Sequence, residues 1–274
     1  MQEASSMSMS LSAAKHNQFL IRLQLRDRDL LRPHLRYLDL RLGASLQRTD
    51  TQVSRVVFPI TGAISVTTSA GGTSIQCAIV GREGVMGAWP DNGDGQSPYD
   101  AIVSIAGAAL ELPMAAFHQA MAESADLRLQ VARANLVEMV RLSQTTACNA
   151  THSTECRMCR WMLEFHDRSL DGRFWMTQEG LAKMLGVQRT TVTLIAGKLQ
   201  AVGALQWRRG RLTILDRGEV ERRSCACYQR TIALAEKLYQ PSTPGWQPAS
   251  APEDASLVPL PHLDEQAHLI SDTD

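Results

Sequence analysis

This 274-residue chain has no long hydrophobic run. A membrane-spanning helix needs about eighteen or more consecutive apolar residues. Nothing here approaches that, so no membrane partner is expected. Met1 to Ala14 is rich in Ser and Met but lacks a basic start followed by an apolar stretch. It does not read as a secretory leader, and the expected compartment is the cytoplasm. Cysteine is sparse, six in all, and in that compartment these are thiols rather than a disulfide framework. Histidine is missing between Val53 and Leu112, which deprives a metal-dependent β-roll enzyme of its ligands. The Gly-rich segment Gly81 to Gly87 has no Lys-Ser/Thr end, so it is not an NTPase phosphate loop, and no Ser-His-Asp set is apparent. The chain is not expected to be an enzyme, and no cofactor or metal is expected.

Net charge is also missing, with 28 basic residues against 28 acidic. The distribution matters more than the sum. His152 to Arg223 holds thirteen Lys and Arg against eight Asp and Glu, whereas Pro241 to Asp274 holds six acids and no Lys or Arg. A basic module and an acidic tail are hidden in a neutral total. The hydrophobic fraction, 44%, is ample for real cores, and the length suggests about two domains.

Five segments follow from composition and period. Residues 1–14 are expected to be disordered. Residues 15–123 hold helical spacing from Asn17 (Phe19, Leu20, Leu23), then a second helix from Asp27 to Leu38 interrupted by Pro33, and then a change of period. Val53, Val56-Val57-Phe58, Ile64, Val66 and Thr68 alternate as strands do, as do Ile75, Cys77 and Ile79 after the turn Ser69-Ala70-Gly71-Gly72. Past a polar loop at Asp91 to Pro98, strands resume at Ala101–Ile105 and Ala108–Leu112. Short antiparallel strands with Gly turns predict a β-roll. Helical spacing returns at Met114. Over 124–150, Leu129, Ala132, Leu136, Met139, Ser143 and Thr146 recur at alternating three and four, a heptad-like seam that buries either against its own chain, as a core helix, or against a second copy, as the dimer helix the leading reading needs. Residues 151–240 follow, with Ser153 capping a helix that buries Met158, Trp161, Met162 and Phe165, and a closing helix from Cys225 to Tyr239. Residues 241–274 are Pro-rich and acidic, and no fold is expected there.

The informative stretch is Thr177 to Leu199. Thr177 caps a first helix and Glu179 sits in its first turn, where the helix dipole favours a carboxylate. Leu181 and Leu185 point inward together, and small Ala182 lets a second helix come close. Gly186 suits the left-handed turn that ends the first helix. Val187, Val192, Ile195 and Leu199 form the inner face of the second. Gln188, Arg189, Thr190, Thr193 and Leu194 are left pointing outward. The joint pattern is a helix-turn-helix, whose second helix presents such residues to base edges in the major groove. Directly after it, Ala204 to Leu215 places two alternating runs about an Arg-Gly turn, a β-hairpin signal. Arg208, Arg209 and Arg211 on such a wing reach phosphates. Thr191 and Lys198 complete the candidate DNA-binding set.

In this order, a β-roll, a long helix and a winged helix-turn-helix resemble the Crp/Fnr family of bacterial transcription regulators. The resemblance covers about Gln18 to Tyr239. It is most specific at Gly81-Arg-Glu-Gly84 with Gly87, and at Met176 to Val192. It implies an α+β protein that acts as a homodimer on double-stranded DNA at a palindrome-like operator, bends it and contacts RNA polymerase. Members that bind cyclic AMP hold its phosphate with an Arg-Ser pair. Lined up on the strand Ala101–Leu112, that pair falls at Ser97-Pro98, where the arginine is gone and the proline has no N–H. Cyclic AMP is therefore not the expected effector. Arg82, Glu83, Ser97 and Tyr99 are the candidate lining of a pocket for an unidentified one, unless the roll is a ligand-free scaffold. Members with an iron–sulfur cluster place cysteines ahead of the roll, whereas the first here is Cys77. His16, His34 and His118 are scattered and read as surface residues rather than haem ligands.

Other readings compete. Cys156, Cys159, Cys225 and Cys227 would form a metal or redox sensor if they met in a tetrahedral set, but Cys156 and Cys159 lie in a helical pattern and the x-spacing of the second pair is unusual. Small buried thiols are the simpler account. A β-roll enzyme and a DNA-independent interaction module are the remaining alternatives. The mechanism expected for the leading reading is two-state: a signal in the roll shifts the long helix, which sets the separation of two reading heads.

Overall fold

A computed structural model describes residues 14–89 and 95–240, with the side chains of Ala70 and Thr73 left aside. The stretch 1–13, the tail 241–274 and part of the loop expected at 91–98 lie outside the described residues.

The chain enters through two short helices, α1 (Gln18–Arg22) and α2 (Leu25–Leu31). Asn17 caps α1 by accepting from the Leu20 amide, and its own Nδ2 donates to the carbonyls of Pro59 and Gly84, 2.9 Å each. The helix expected from Asp27 to Leu38 is corrected. It stops at Leu31, passes through a single 3-10 turn at Arg32–His34, and residues Arg36–Leu40 are strand β1. Pro33 cannot donate an N–H in a helix interior, and Arg36 to Leu40 find their partners on another strand instead.

That strand is β5 (Asp100–Pro113), the centre of a five-stranded antiparallel sheet. β1 lies on one side of it. On the other lies β3 (Arg55–Ala70), followed by β4 (Thr73–Val80). The short β2 (Ser45–Gln47) pairs with the early part of β5. The turn between β3 and β4 is Gly71-Gly72, both at positive φ, as a two-residue hairpin needs. Ala101–Ile105 and Ala108–Leu112 are one bent strand rather than the two expected. Where the sequence suggested a break, Gly107 lets β5 close on β3, and a Cβ there would collide with the Thr61 carbonyl oxygen.

From the sheet the chain runs into α3 (Met114–Glu123) and then α4 (Ala125–Thr151), whose N-terminus is capped by Ser124. Leu127, Val131, Ala134, Val137, Thr145 and Cys148 form the buried face of α4. The remaining elements are α5 (Thr154–His166), β6 (Arg173–Trp175), α6 (Gln178–Leu185), α7 (Arg189–Ala201), β7 (Leu205–Arg208), β8 (Arg211–Ile214), α8 (Arg217–Arg223) and α9 (Cys227–Tyr239). The sequence did not announce β1, β2, β6 or α8.

Among the described residues three large apolar clusters and a small one of Cys148, Cys225 and Cys227 hold the molecule. One joins α1–α4 to the outer face of the sheet, around Phe19, Phe58 and Phe117. A second fills the roll, around Ile64, Val80, Met86 and Val103. The third belongs to the C-terminal part, around Trp161, Leu181, Val192 and Leu199, yet it takes in Ala63 and Ile79 of the roll. The C-terminal part is thus packed on β4 directly, not only through α4.

An ionic junction seals the same seam. Glu83 of the roll meets Arg168 at 2.6 Å and Arg141 of α4 at 3.5 Å, while Glu138 shares Arg141 Nη1 with it and Glu164 meets Arg168 through Nη1. Burial by itself would raise the Glu83 pKa, but Arg168 and Arg141 outweigh it and hold the carboxyl at about 2. Glu138 goes the other way, raised by burial against the pull of Arg141.

Candidate nucleic-acid interface

The helix-turn-helix is built by local chemistry. Ser153 caps α5 by accepting from the Cys156 amide, and Met158, Trp161, Met162 and Phe165 are buried along it. Thr177 caps α6, accepting from the Gly180 amide at 2.9 Å. Gly186 ends α6 at φ +65°, a conformation any Cβ would strain. The chain turns there, and Val192, Ile195, Ala196 and Leu199 seat α7 on the core.

The outer face of α7 is Gln188, Arg189, Thr190, Thr193, Leu194 and Lys198, all exposed, with Thr191 half-buried. Gln188 takes the N-cap position but makes no side-chain cap bond; the Thr191 amide bonds the Gln188 carbonyl, and the Arg189 and Thr190 amides are left for an incoming phosphate. Leu194 is 63% exposed, suited to a thymine methyl. On this face the sequence reading missed Gln178. Gln178 of α6 places Oε1 2.7 Å from Thr193 Oγ1, which links the two helices at the same face. Its place directly after the Thr177 cap was the available signal.

The wing is a three-stranded sheet in the order β6-β8-β7. Its tip turns on Arg209 and Gly210, at φ +49° and +79°. This two-residue left-handed turn matches the twist of the flanking strands. Arg208 and Arg211 stand directly opposite one another, a like-charge pairing that destabilises a ladder unless an anion relieves it. The third strand adds exposed Arg173 and Trp175 beside the tip, which the sequence reading missed because three residues give too little alternation to register.

The cations of this part fall into two groups. Arg160, Arg168, Arg217, Arg222 and Arg223 are ion-paired, and Arg157 bonds Asn149 and the Leu185 carbonyl. Arg160 is 2% exposed and lies against the Trp161 ring while paired to Glu164. Arg189, Lys198, Arg208, Arg209 and Arg211 have no ion pair or side-chain hydrogen bond among the described residues, and all face solvent.

Residues 156–223 match the family model of the Crp-like helix-turn-helix domain. The chain carries a Crp-like helix-turn-helix domain. Its fold matches FixK2 from Bradyrhizobium japonicum with a TM-score of 0.60, at 15% identity over 70% of this chain and 98% of that one. The c-di-GMP-responsive global regulator CLP from Xanthomonas campestris matches at 0.55, with 14% identity over 70% and 99%. A CRP/FNR-family transcriptional regulator from Thermus thermophilus matches at 0.55, with 15% identity over 70% and 98%. No curated protein matches this sequence. No helix among the described residues is long and apolar enough to cross a membrane.

The other residues singled out by sequence are placed as follows. Leu129, Ala132, Leu136, Met139, Ser143 and Thr146 all lie on the exposed face of α4, opposite its buried stripe. Arg82 and Glu83 line a cleft with Arg22, Arg141, Arg168 and Tyr239. Ser97 and Tyr99 do not join them there. The buried Ser97 hydroxyl donates to the Tyr99 carbonyl at 2.6 Å, and the Tyr99 ring packs edge-on against Trp89. The four residues expected to line one effector pocket are therefore divided between two places, because Glu83 is drawn out of the roll by Arg168. His16 is exposed, and His34 and His118 lie on separate elements. The four cysteines Cys156, Cys159, Cys225 and Cys227 do not form one set. Cys159 faces inward from α5 into the core of the C-terminal part, since the helix carries it round from Cys156's outer position.

Proposed function

We propose that this protein is a sequence-specific DNA-binding transcription regulator that works as a homodimer in the cytoplasm. The roll (15–123) serves as its receiving part, the long helix (124–150) as its dimer rod, and 151–240 as its reading head. The observation that carries the reading is the division of cations in the head: those within the molecule are paired, and those on α7 and the wing are left for phosphate and base. Arg189, at the first turn of α7, is suited to guanine O6 and N7, and Gln188 and Thr193 flank it. Gln178 braces Thr193. Arg208, Arg209 and Arg211 grip the backbone on the wing side.

Pairing is supported by the apolar stripe on α4. Leu129, Leu136 and Met139 are 48%, 38% and 58% exposed while the opposite face of the same helix is buried. A second copy covering that stripe would set two α7 helices about one DNA turn, roughly 34 Å, apart. A palindrome-like operator follows from that symmetry. Contact with RNA polymerase follows from the family's way of working. No enzymatic role is proposed, since the exposed face is chemically a binding surface.

The test is selection of bound sequences from random DNA, followed by titration of the selected site at fixed salt. Arg189→Ala should weaken the selected site by about 1–3 kcal/mol and relax preference at one base pair. Arg208→Ala should weaken all sequences alike and lower the salt slope by about 1. If both variants bind as the parent does, the protein works without reading DNA, as an interaction module.

The roll is not built for cyclic AMP. At the place where the family's Arg-Ser pair is expected, Ser97 spends its hydroxyl on the Tyr99 carbonyl, and Pro98 offers no N–H. The apolar cluster inside the roll is built of aliphatic side chains such as Leu40, Ile64, Val66, Val80 and Val103. Calorimetric titration with cyclic AMP is expected to show no saturable heat in the micromolar range, and a stoichiometric isotherm would overturn this.

A further inference from the structure

The joint between the long helix and the reading head holds a side-chain cluster that the DNA-binding reading does not use. Cys148 lies on the last turn of α4, and His152 is the residue at which α4 ends and the chain bends toward α5. Cys225 lies in the link between α8 and α9, and Cys227 opens α9. Their four donor atoms all lie within 4.8 Å of one another. Cys148 Sγ is 3.5 Å from Cys225 Sγ, and Cys227 Sγ is 3.5 Å from His152 Nδ1.

We propose that Cys148, His152, Cys225 and Cys227 bind a single zinc-class divalent ion in a tetrahedral Cys3His site that fastens this joint. The distances carry the choice of ion. With zinc–sulfur bonds of about 2.3 Å and zinc–nitrogen bonds of about 2.0 Å, the edges of a tetrahedron are about 3.5–3.8 Å; two of the donor pairs stand at 3.5 Å and the others lie within 4.8 Å, close enough to draw in around one ion. An iron–sulfur cluster spreads its cysteines around several metal atoms and needs a wider cage. Three thiolates and an imidazole suit a borderline-soft ion and not calcium or magnesium. Gln144 Nε2 lies 3.1 Å from Cys227 Sγ and donates to it, which offsets the extra negative charge of the third thiolate. The three cysteines are buried while His152 is only half-buried, so the ion has an approach on the imidazole side. The set unites residues more than seventy apart in sequence. It ties the bend after the dimer rod to the helix that closes the head, which is where the orientation of the head is decided.

The experiment uses full-length protein, purified reduced and without chelator, then stripped and titrated with cobalt(II). One equivalent per chain should produce the intense visible bands and sulfur-to-cobalt charge transfer of a tetrahedral thiolate site, and one equivalent of zinc should bleach them. Cys225→Ser and His152→Ala should each lower affinity by more than the about 10–100-fold lost with an outer hydrogen-bond partner. Cys156→Ser, beside the cluster, and Cys77→Ser, in the roll, should leave stoichiometry and spectrum unchanged. Parent protein with all thiols titratable and no tetrahedral bands overturns the proposal without any variant having to fold. So does a Cys148–Cys225 disulfide that forms in preference to metal uptake, or a spectrum that survives both ligand changes. The spectrum reports the ion whether or not the head binds an operator, so this test and the DNA test fail separately.

Discussion

Replacing Leu136 and Met139 together by glutamate is expected to give a folded monomer whose operator affinity is lower by about 10²–10⁴-fold. The size comes from lost bivalency, because the second head of a dimer binds intramolecularly and a monomer's does not. The fold should survive, since both side chains lie on the exposed face of α4 and contribute nothing to its buried stripe. Carboxylates in a heptad seam would face their own copies across the two-fold axis, and like charges there oppose association. Light scattering gives the mass and fluorescence anisotropy the affinity. A variant that stays dimeric, or a monomer that binds the full operator as tightly as the parent, would sink the dimer reading.

The second large effect is expected at the junction of roll, rod and head. Glu83→Gln removes the carboxylate that Arg168 and Arg141 share, and both guanidiniums are largely buried. Leaving a buried charge without its counter-charge typically costs about 3–5 kcal/mol. The lower end is expected here, because Glu164 and Glu138 still pair with those guanidiniums. Urea titration at neutral pH measures the loss. The pH dependence has a definite sign. The Glu83 pKa is depressed from 4.5 to about 2 in the folded protein, so its contribution is complete above about pH 4.5. It disappears as the pH falls from there toward 2. The parent should lose stability across that window and Glu83→Gln should lose less. Equal acid limbs for the two proteins would remove Glu83 from the account.

These two experiments address features that differ in how visible they were beforehand. The exposed apolar stripe on α4 was readable because Leu129, Leu136 and Met139 repeat at helical spacing while Leu127, Val131 and Val137 occupy the other face. Period alone separates two faces of one helix. The reading head was readable for the same kind of reason: Thr177, Gly186 and the Arg209-Gly210 turn each act within a few residues. The roll was readable as alternating strands but not strand by strand. The Asp27–Leu38 reading failed because five residues of β1 carry no decisive period, and their state is decided by β5, about seventy residues away. Strand β6 was lost for the same reason.

By itself, then, the sequence determined the order of parts, the inner and outer faces of α4, α6 and α7, and which side chains stand at the exposed tip of the head. Caps, turn glycines and apolar periods are short-range physics, complete within one or two turns of chain. Only the tertiary structure decided that Glu83 reaches Arg168, that Ala63 and Ile79 enter the core of the head, and that Cys148 and His152 meet Cys225 and Cys227 while Cys159 turns away. Those meetings join residues some seventy to eighty-five positions apart or more, and no local rule orients one such group toward another. They arise where whole elements pack, which is also where charge and thiol chemistry are taken out of water.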